Sequence, residues 1–87
     1  MYSIRYHKKT KQDKAKLQAA GLAANACSLI AVIKQNPYTN PPPYEKLVGN
    51  LGGLYSRRIN ITHRLVYSVD DSKKEVKILS MWSHYGD

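Results

Sequence analysis

A proline-rich segment near the middle of the chain separates two halves with different residue patterns. Asn36-Pro37 ends the preceding pattern, and the run that closes with Pro41-Pro42-Pro43 fits neither regular element, because proline lacks a backbone N–H and disfavours helical backbone at the residue before it. The segment is too short to link two domains, so we interpret it as a rigid loop. With 87 residues, the chain has room for one hydrophobic core, and 1–87 is predicted to be a single domain.

The first half predicts one strand and two helices. Tyr2–Tyr6 alternates apolar and polar residues, as a short half-buried strand does. Lys11–Ala20 is rich in helix-forming residues, with Thr10 as its expected N-cap. Leu22–Gln35 has apolar residues at helical spacing. Gly21 lies between the two runs and breaks the helical pattern, which favours a helical hairpin; one long kinked helix is the alternative.

The second half predicts three strands joined by short turns: Leu54–Asn60, His63–Val69 and Glu75–Trp82. A strand, two helices and three further strands indicate an α+β domain, in which the helices pack on one face of a mostly antiparallel sheet. Charged side chains then belong on the face without helices. By strand alternation we expect Arg58 and Arg64 to share that open face as a basic surface, with the register between the strands left open.

The composition is strongly basic. Fourteen Lys and Arg oppose six Asp and Glu, for a net charge of +8. Such a charge suits a polyanionic partner, which is a nucleic acid, an acidic protein segment or a membrane surface. The basic residues are spread along the chain and form no strongly amphipathic cationic helix, which argues against the membrane. Charge alone does not choose among the other partners, and a basic protein can also simply be soluble.

Cysteine and histidine usage argues against disulfides and metals. Cys27 is the one cysteine; it excludes an intrachain disulfide, suits a reducing cytoplasm and is expected to be a small buried apolar residue. His7, His63 and His84 are far apart and have no Cys or carboxylate beside them, so we expect no metal and no cofactor. A polar N-terminus and the lack of a long apolar run predict a cytoplasmic protein without a membrane segment.

Glu45, an acidic residue followed by several arginines in the second half, suggests a chemical role. Glu45 with an arginine and a histidine makes the minimal set for moving protons at a phosphodiester while neutralising its charge. Glu45 is the candidate base for a ribose 2′-hydroxyl, and Arg64, supported by Arg58, is the candidate cation for the phosphorane. His84 is the candidate acid for the departing 5′ oxygen, and Tyr85 is a candidate stacking platform for a base.

Ordinary roles for these residues stay open. Glu45 can form a surface ion pair with Lys46 or Arg58, and His84 can be a solvated terminal residue. Lys46, Arg57 and Arg58 are further candidates for RNA contact, although adjacent arginines by themselves indicate only contact with a polyanion.

Three motifs resemble a known family. The chain resembles the Txe/YoeB family of bacterial toxin–antitoxin endoribonucleases, which are relatives of the RelE toxins. The resemblance lies in the order and spacing of Glu45, Ser56-Arg57-Arg58, His63-Arg64-Leu65-Val66-Tyr67 and the terminal His84-Tyr85. The resemblance covers about residues 44 to 85. It implies a RelE-like fold and a toxin that cleaves mRNA on translating ribosomes.

The same resemblance implies roles and partners. Glu45 stands at the family's general-base position, Arg64 at that of the transition-state arginine and His84 at that of the general acid. Tyr85 stands at the tyrosine that positions RNA, and Arg58 at a further basic position. The implied partners are an acidic, partly disordered antitoxin, mRNA and the ribosome, with a homodimer or a toxin–antitoxin hetero-oligomer as the assembly.

The chain departs from the family pattern at three places. Lys46 follows the general-base position where relatives often have Pro, and Ser83 replaces a larger or basic residue before His84. Gly86-Asp87 extends past the usual terminal tyrosine and adds a carboxylate. None of these changes removes a catalytic group. A non-catalytic module that binds nucleic acid or the ribosome is the alternative function, and a structural partner of an acidic protein is a third.

Overall fold

The part of the chain that the computed structural model describes, residues 1–47 and 53–83, forms a five-stranded sheet and two helices. In chain order the elements are β1 (Ser3–Tyr6), α1 (Thr10–Ala19), α2 (Ala23–Gln35), β2 (Glu45–Lys46), β3 (Leu54–Arg58), β4 (Arg64–Asp70) and β5 (Glu75–Ser83). The predicted α+β fold is confirmed, with its N-terminal strand, two helices and three later strands. Strand β2 was not predicted, because two residues are too few for an alternating pattern.

The sheet is mixed, with the strand order β1-β5-β4-β3-β2. β1 runs parallel to β5, and the other three neighbouring pairs are antiparallel. A parallel pair needs a long crossover connection. Here the chain that leaves β1 first forms the helical hairpin, whose residues cover one face of the sheet. The mostly antiparallel sheet is therefore confirmed, with one parallel pair at its β1 edge.

The hydrophobic core lies between the helices and one face of the sheet. Leu17 of α1 and Ile33 of α2 pack with Leu65, Tyr67 and Ile78 of the central strands, and all five side chains are fully buried. Leu65 and Tyr67 alternate along β4 with residues of the opposite face, as strand geometry requires. The core cluster thus accounts for one face of the sheet.

Gly21 makes the turn between the two helices. Its φ of +74° lies in the left-handed region, which glycine adopts without steric cost. The amide of Leu22 donates to the Leu17 carbonyl at 2.8 Å, and this bond closes the end of α1. The predicted hairpin is confirmed in preference to a single kinked helix.

Two local predictions about the helices were wrong. Thr10 is the first residue of α1 and not its N-cap; its hydroxyl donates back to the His7 carbonyl at 2.6 Å, and no side chain caps the helix at Lys9. Cys27 is exposed, because Ala26 and Ile33 of α2 are the residues that face the core. Its position in an apolar run did not reveal which side of the helix it occupies.

A buried carboxylate joins α1 to an irregular part of β5. Val66 pairs with Ser80 whereas Arg64 pairs with Ser83, so two residues of β5, Met81 and Trp82, lie opposite the single residue Leu65. Such a bulge interrupts the regular ladder of hydrogen bonds. The Met81 amide instead donates to Oδ2 of Asp13 at 3.0 Å, and Asp13 is only 2% exposed.

We predict that Asp13→Ala lowers the free energy of unfolding by about 1–3 kcal/mol, since it leaves the buried Met81 N–H without this acceptor. Chemical denaturation followed by circular dichroism measures the change. Lys14→Ala, at an exposed position of the same helix, is the control and should stay close to wild type. Equal stability of Asp13→Ala and wild type would show that the hydrogen bond contributes nothing.

A second carboxylate connects three distant segments at the surface. Oδ1 of Asp71 accepts a hydrogen bond from the Tyr2 hydroxyl at 2.8 Å, and Oδ2 accepts one from the Tyr38 hydroxyl at 2.9 Å. The hydrogen bond to Asp71 raises the pKa of Tyr2. Burial, followed by the hydrogen bond to Asp71, raises the pKa of Tyr38. Asp71 thereby ties the N-terminus and the segment after α2 to the β4–β5 turn.

The raised pKa values of these two tyrosines predict that the fold loses stability at alkaline pH. Because the pKa of each phenol is higher in the fold than the ordinary value of 10.0, their contribution to stability is present below pH 10 and is lost as the pH rises above it. Asp71→Ala should lower both pKa values towards 10, which ¹³Cζ NMR titration measures. Ser72→Ala, in the same turn, should leave both unchanged. Unaltered Tyr2 and Tyr38 titrations in Asp71→Ala would contradict the assignment.

Candidate functional site

Strands β2, β3 and β4 bring four polar side chains together on the face of the sheet that carries no helix. Glu45 pairs with Ser56, and Arg58 pairs with Arg64. Register partners share a face, and so do residues two apart in a strand. Glu45, Ser56, Arg58 and Arg64 therefore form one group, which we call the polar face. The prediction that Arg58 and Arg64 share a face is confirmed.

Glu45 and Arg64 form an ion pair at the centre of the polar face. Nη1 of Arg64 lies 3.1 Å from Oε2 of Glu45, and the same nitrogen donates to Oγ of buried Ser56 at 3.2 Å. The Arg64 side chain is 12% exposed, whereas that of Glu45 is 61% exposed. The guanidinium is thus held by its surroundings, while the carboxylate stays open to a ligand.

The ion pair differs from the surface pairs that the sequence left open. Glu45 contacts Arg64, which lies 19 residues away in the chain, and neither Lys46 nor Arg58 is its ion-pair partner among the described residues. An ion pair between two solvent-exposed residues contributes roughly 0.2–1 kcal/mol to stability. Here only Glu45 is exposed, and its carboxylate neutralises a guanidinium that is largely buried.

Arg57 does not belong to the polar face. It is 1% exposed, because it alternates with Ser56 and Arg58 along β3 and points to the opposite side. Its guanidinium donates to the Tyr67 hydroxyl and to the backbone carbonyls of Pro37, Thr39 and Pro42. This burial corrects the expectation that Arg57 contacts RNA. An arginine in a basic run gives no sign of burial unless its acceptors are known, and these belong to a distant loop.

The remaining predicted residues lie at the edges of this site. Lys46 is exposed on β2, but its register partner is Tyr55, so it leaves the sheet on the opposite side from Glu45. Ser83, the last described residue, is the register partner of Arg64, and β5 therefore ends beside the ion pair. His84 and Tyr85 lie outside the described residues, as do Gly86 and Asp87.

A stacked aromatic pair flanks the site and was not predicted. The rings of His63 and Trp82 are parallel to within 20°, with centroids 3.8 Å apart. His63 immediately precedes Arg64, and Trp82 precedes Ser83, so the pair lies where β4 begins and β5 ends. The two residues are 19 positions apart, and only the register of the strands reveals their contact. The sequence signal was limited to the presence of each ring.

The described residues, 1–47 and 53–83, contain no cluster of three or more His, Cys, Asp or Glu side chains placed to hold a metal ion. Neither helix there has the length and apolar character needed to cross a membrane.

The chain matches the family model of YoeB-like toxins of bacterial type II toxin–antitoxin systems over residues 5–85. The chain belongs to this family. The resemblance that the Ser-Arg-Arg and His-Arg-Leu-Val-Tyr motifs indicated is thereby confirmed.

Relatives and solved structures agree with this assignment. The Toxin YoeB of Synechocystis is 42% identical over 57 residues, which is 66% of this chain. The chain spans 64% of the length of that relative. A YoeB–YefM toxin–antitoxin complex from Staphylococcus aureus contains a chain that is 35% identical, with a TM-score of 0.79 over 98% of this chain and 99% of that one. A YoeB/ParE toxin from Agrobacterium tumefaciens has 27% identity and a TM-score of 0.84 over 95% and 99%.

Proposed function

We propose that this chain, residues 1–87 acting as one domain, is the toxin of a type II toxin–antitoxin system and cleaves mRNA on the ribosome without a metal. The observation that carries the proposal is the Glu45–Arg64 pair on the polar face, in a chain of net charge +8. Membership of the YoeB-like toxin family supports the same function.

In the proposed reaction Glu45 accepts the proton of a ribose 2′-hydroxyl. The resulting oxygen attacks the adjacent phosphorus, and Arg64 neutralises the negative charge that develops on the phosphorane. The bond to the 5′ oxygen then breaks as His84 donates a proton to it. The products are a 2′,3′-cyclic phosphate, or its hydrolysed form, and a 5′-hydroxyl end. In this proposal the chain supplies a general base, a preorganised cation and a general acid.

The geometry of the ion pair supports these roles. A separation of 3.1 Å between the carboxylate and the guanidinium places base and cation within the span of one phosphodiester and its neighbouring ribose. Ser56 holds the Arg64 guanidinium before RNA arrives, so little reorganisation is needed when charge develops. The exposed Glu45 carboxylate leaves room for the 2′-hydroxyl to approach.

Binding of RNA is assigned to residues around the pair. Arg58 is exposed on the polar face, opposite Arg64, and is proposed to contact a phosphate. Lys46 is proposed to contact phosphate from the edge strand, and Tyr85 to stack on a base. Such contacts release counterions, so binding should weaken as salt concentration rises. Arg57 is excluded from this set by its burial.

The proposed partners follow from charge and from family membership. An acidic antitoxin segment that covers the polar face would neutralise its arginines and exclude RNA, and such a segment orders on binding. The relative from Staphylococcus aureus, found in complex with YefM, supports a toxin–antitoxin hetero-oligomer. A homodimer of the free toxin and a cytoplasmic location complete the proposal.

We predict that Glu45→Gln lowers the rate of mRNA cleavage by about 10²–10⁴-fold, because the amide cannot accept the 2′ proton. Primer extension on a defined mRNA in a reconstituted translation reaction, with and without ribosomes, measures the cuts. The matched control is Glu75→Gln, which removes a carboxylate that pairs with Arg5 and should cleave at the wild-type rate.

A non-catalytic module predicts a different result. The exposed Arg58 and the net positive charge would let this protein block translation by occupancy alone. Translation would then stop while the mRNA stays intact, and Glu45→Gln would inhibit as strongly as wild type. That outcome would reject the enzyme and retain the binding surface.

A further inference from the structure

The guanidinium of Arg57 lies inside the loop that leads to Glu45. We call this loop, residues 36–44, the connector. Nη2 donates to the carbonyls of Pro37 at 3.0 Å and Thr39 at 2.9 Å, and Nη1 donates to that of Pro42 at 2.6 Å. One side chain therefore binds the start, the middle and the end of the connector.

The chemistry of the connector explains why an arginine suits this position. All four prolines of the chain lie in it, three of them consecutively. A proline has no N–H, so a proline-rich segment presents carbonyl acceptors and few donors of its own. A guanidinium has five N–H donors in a rigid plane and no acceptor. Arg57 supplies from β3 the donors that the connector lacks.

Two tyrosines contact the same guanidinium. Nε of Arg57 donates to the Tyr67 hydroxyl at 3.1 Å, and that hydroxyl donates in turn to the Pro37 carbonyl at 2.8 Å. The Arg57 Cζ atom lies 5.0 Å from the centre of the Tyr44 ring, a cation–π distance. Tyr44 is the residue immediately before Glu45, so the arginine contacts the side chain next to the proposed base.

Stability alone does not account for this arrangement. The two ion pairs of the described residues, Arg5–Glu75 and Arg64–Glu45, do not include Arg57. A buried charge is costly, and well-packed apolar residues often replace buried charged groups without loss of stability. The four hydrogen bonds of Arg57 satisfy the guanidinium, and their common effect is to give the connector one shape.

We infer that Arg57 is a positioning residue: from the buried side of β3 it holds the connector so that Glu45 meets Arg64 on the polar face. Strand β2 consists of two residues, too short to position Glu45 by strand pairing alone. β3 thus organises the pair from both sides, since Ser56 binds Arg64 directly and Arg57 acts on Glu45 through the connector. The catalytic meaning of this inference rests on the proposed function.

The test is Arg57→Lys, which keeps the charge and loses the planar fork. Single-turnover cleavage should slow by roughly 10–100-fold, because even a small displacement of a reacting group lowers the reaction rate steeply. The dissociation constant of the variant for the ribosome–mRNA complex should stay near that of the wild-type protein. Arg5→Lys, at an exposed position of β1, is the matched control and should leave both quantities unchanged. A variant with wild-type cleavage, or one whose loss appears only in binding, would overturn the inference.

A double-mutant comparison separates positioning from general damage. If Arg57 acts through Glu45, then Arg57→Lys causes no further loss of cleavage in a Glu45→Gln background. If the rate reductions caused by the two substitutions multiply in the double mutant, Arg57 acts independently of Glu45, which would contradict the inference. Should Arg57→Lys fail to fold, Tyr44→Leu and Tyr67→Phe each remove one contact to the guanidinium and should slow cleavage several-fold. Wild-type rates in both would again overturn it.

A spectroscopic measurement distinguishes this inference from the proposed function. The ¹³Cδ signal of Glu45 and the guanidinium ¹⁵N signals of Arg64 report their contact without any RNA. Arg57→Lys should shift both, and Arg5→Lys should shift neither. If wild type cleaves no RNA yet the signals shift, the positioning role stands and the proposed function fails. If the signals do not shift, the positioning role fails whatever the cleavage assay shows.

Discussion

The hydrogen bonds between Arg57 and the connector join the two halves of the fold. The helices come before the connector, and the antiparallel strands come after it. A segment with four prolines has too few N–H groups for all of its carbonyls, so its conformation depends on donors from elsewhere. The Arg57 guanidinium, which extends from β3, donates three hydrogen bonds to these carbonyls. The path from α2 to β2, and with it the place where Glu45 enters the sheet, depends on this interaction.

Strand alternation gives each face of the sheet a separate task. On β4, Leu65 and Tyr67 pack beneath the helices, while Arg64 faces the other way. On β3 the same alternation sends Arg57 inward and leaves Arg58 exposed on the polar face. Two adjacent arginines of one motif therefore have unrelated roles, one in the interior and one towards a polyanion. In the proposed enzyme, a rigid interior is what lets an exposed carboxylate and a guanidinium face a substrate in a defined arrangement.

Regular elements and family motifs were predictable from the sequence, whereas the placement of single side chains was not. The helices and the long strands follow from residue periodicity, which is a local property. The predictions for Cys27 and Thr10 were wrong. The side of a helix on which a residue lies, and its exact position at the helix start, depend on neighbours from other elements. The Asp13–Met81 hydrogen bond and the His63–Trp82 stack join residues far apart in the chain, and no local pattern indicates either.

By itself the sequence determined the fold class, the order of the main elements, the basic character and the family. All of these follow from local residue patterns, composition and the order of the motifs. It also singled out Glu45, Arg58 and Arg64 as a group. Only the tertiary structure decided that Glu45 pairs with Arg64 and that Arg57 is buried in the connector. The reason is physical: strand register and the acceptors available to a buried donor are set by segments that meet only after the chain has folded.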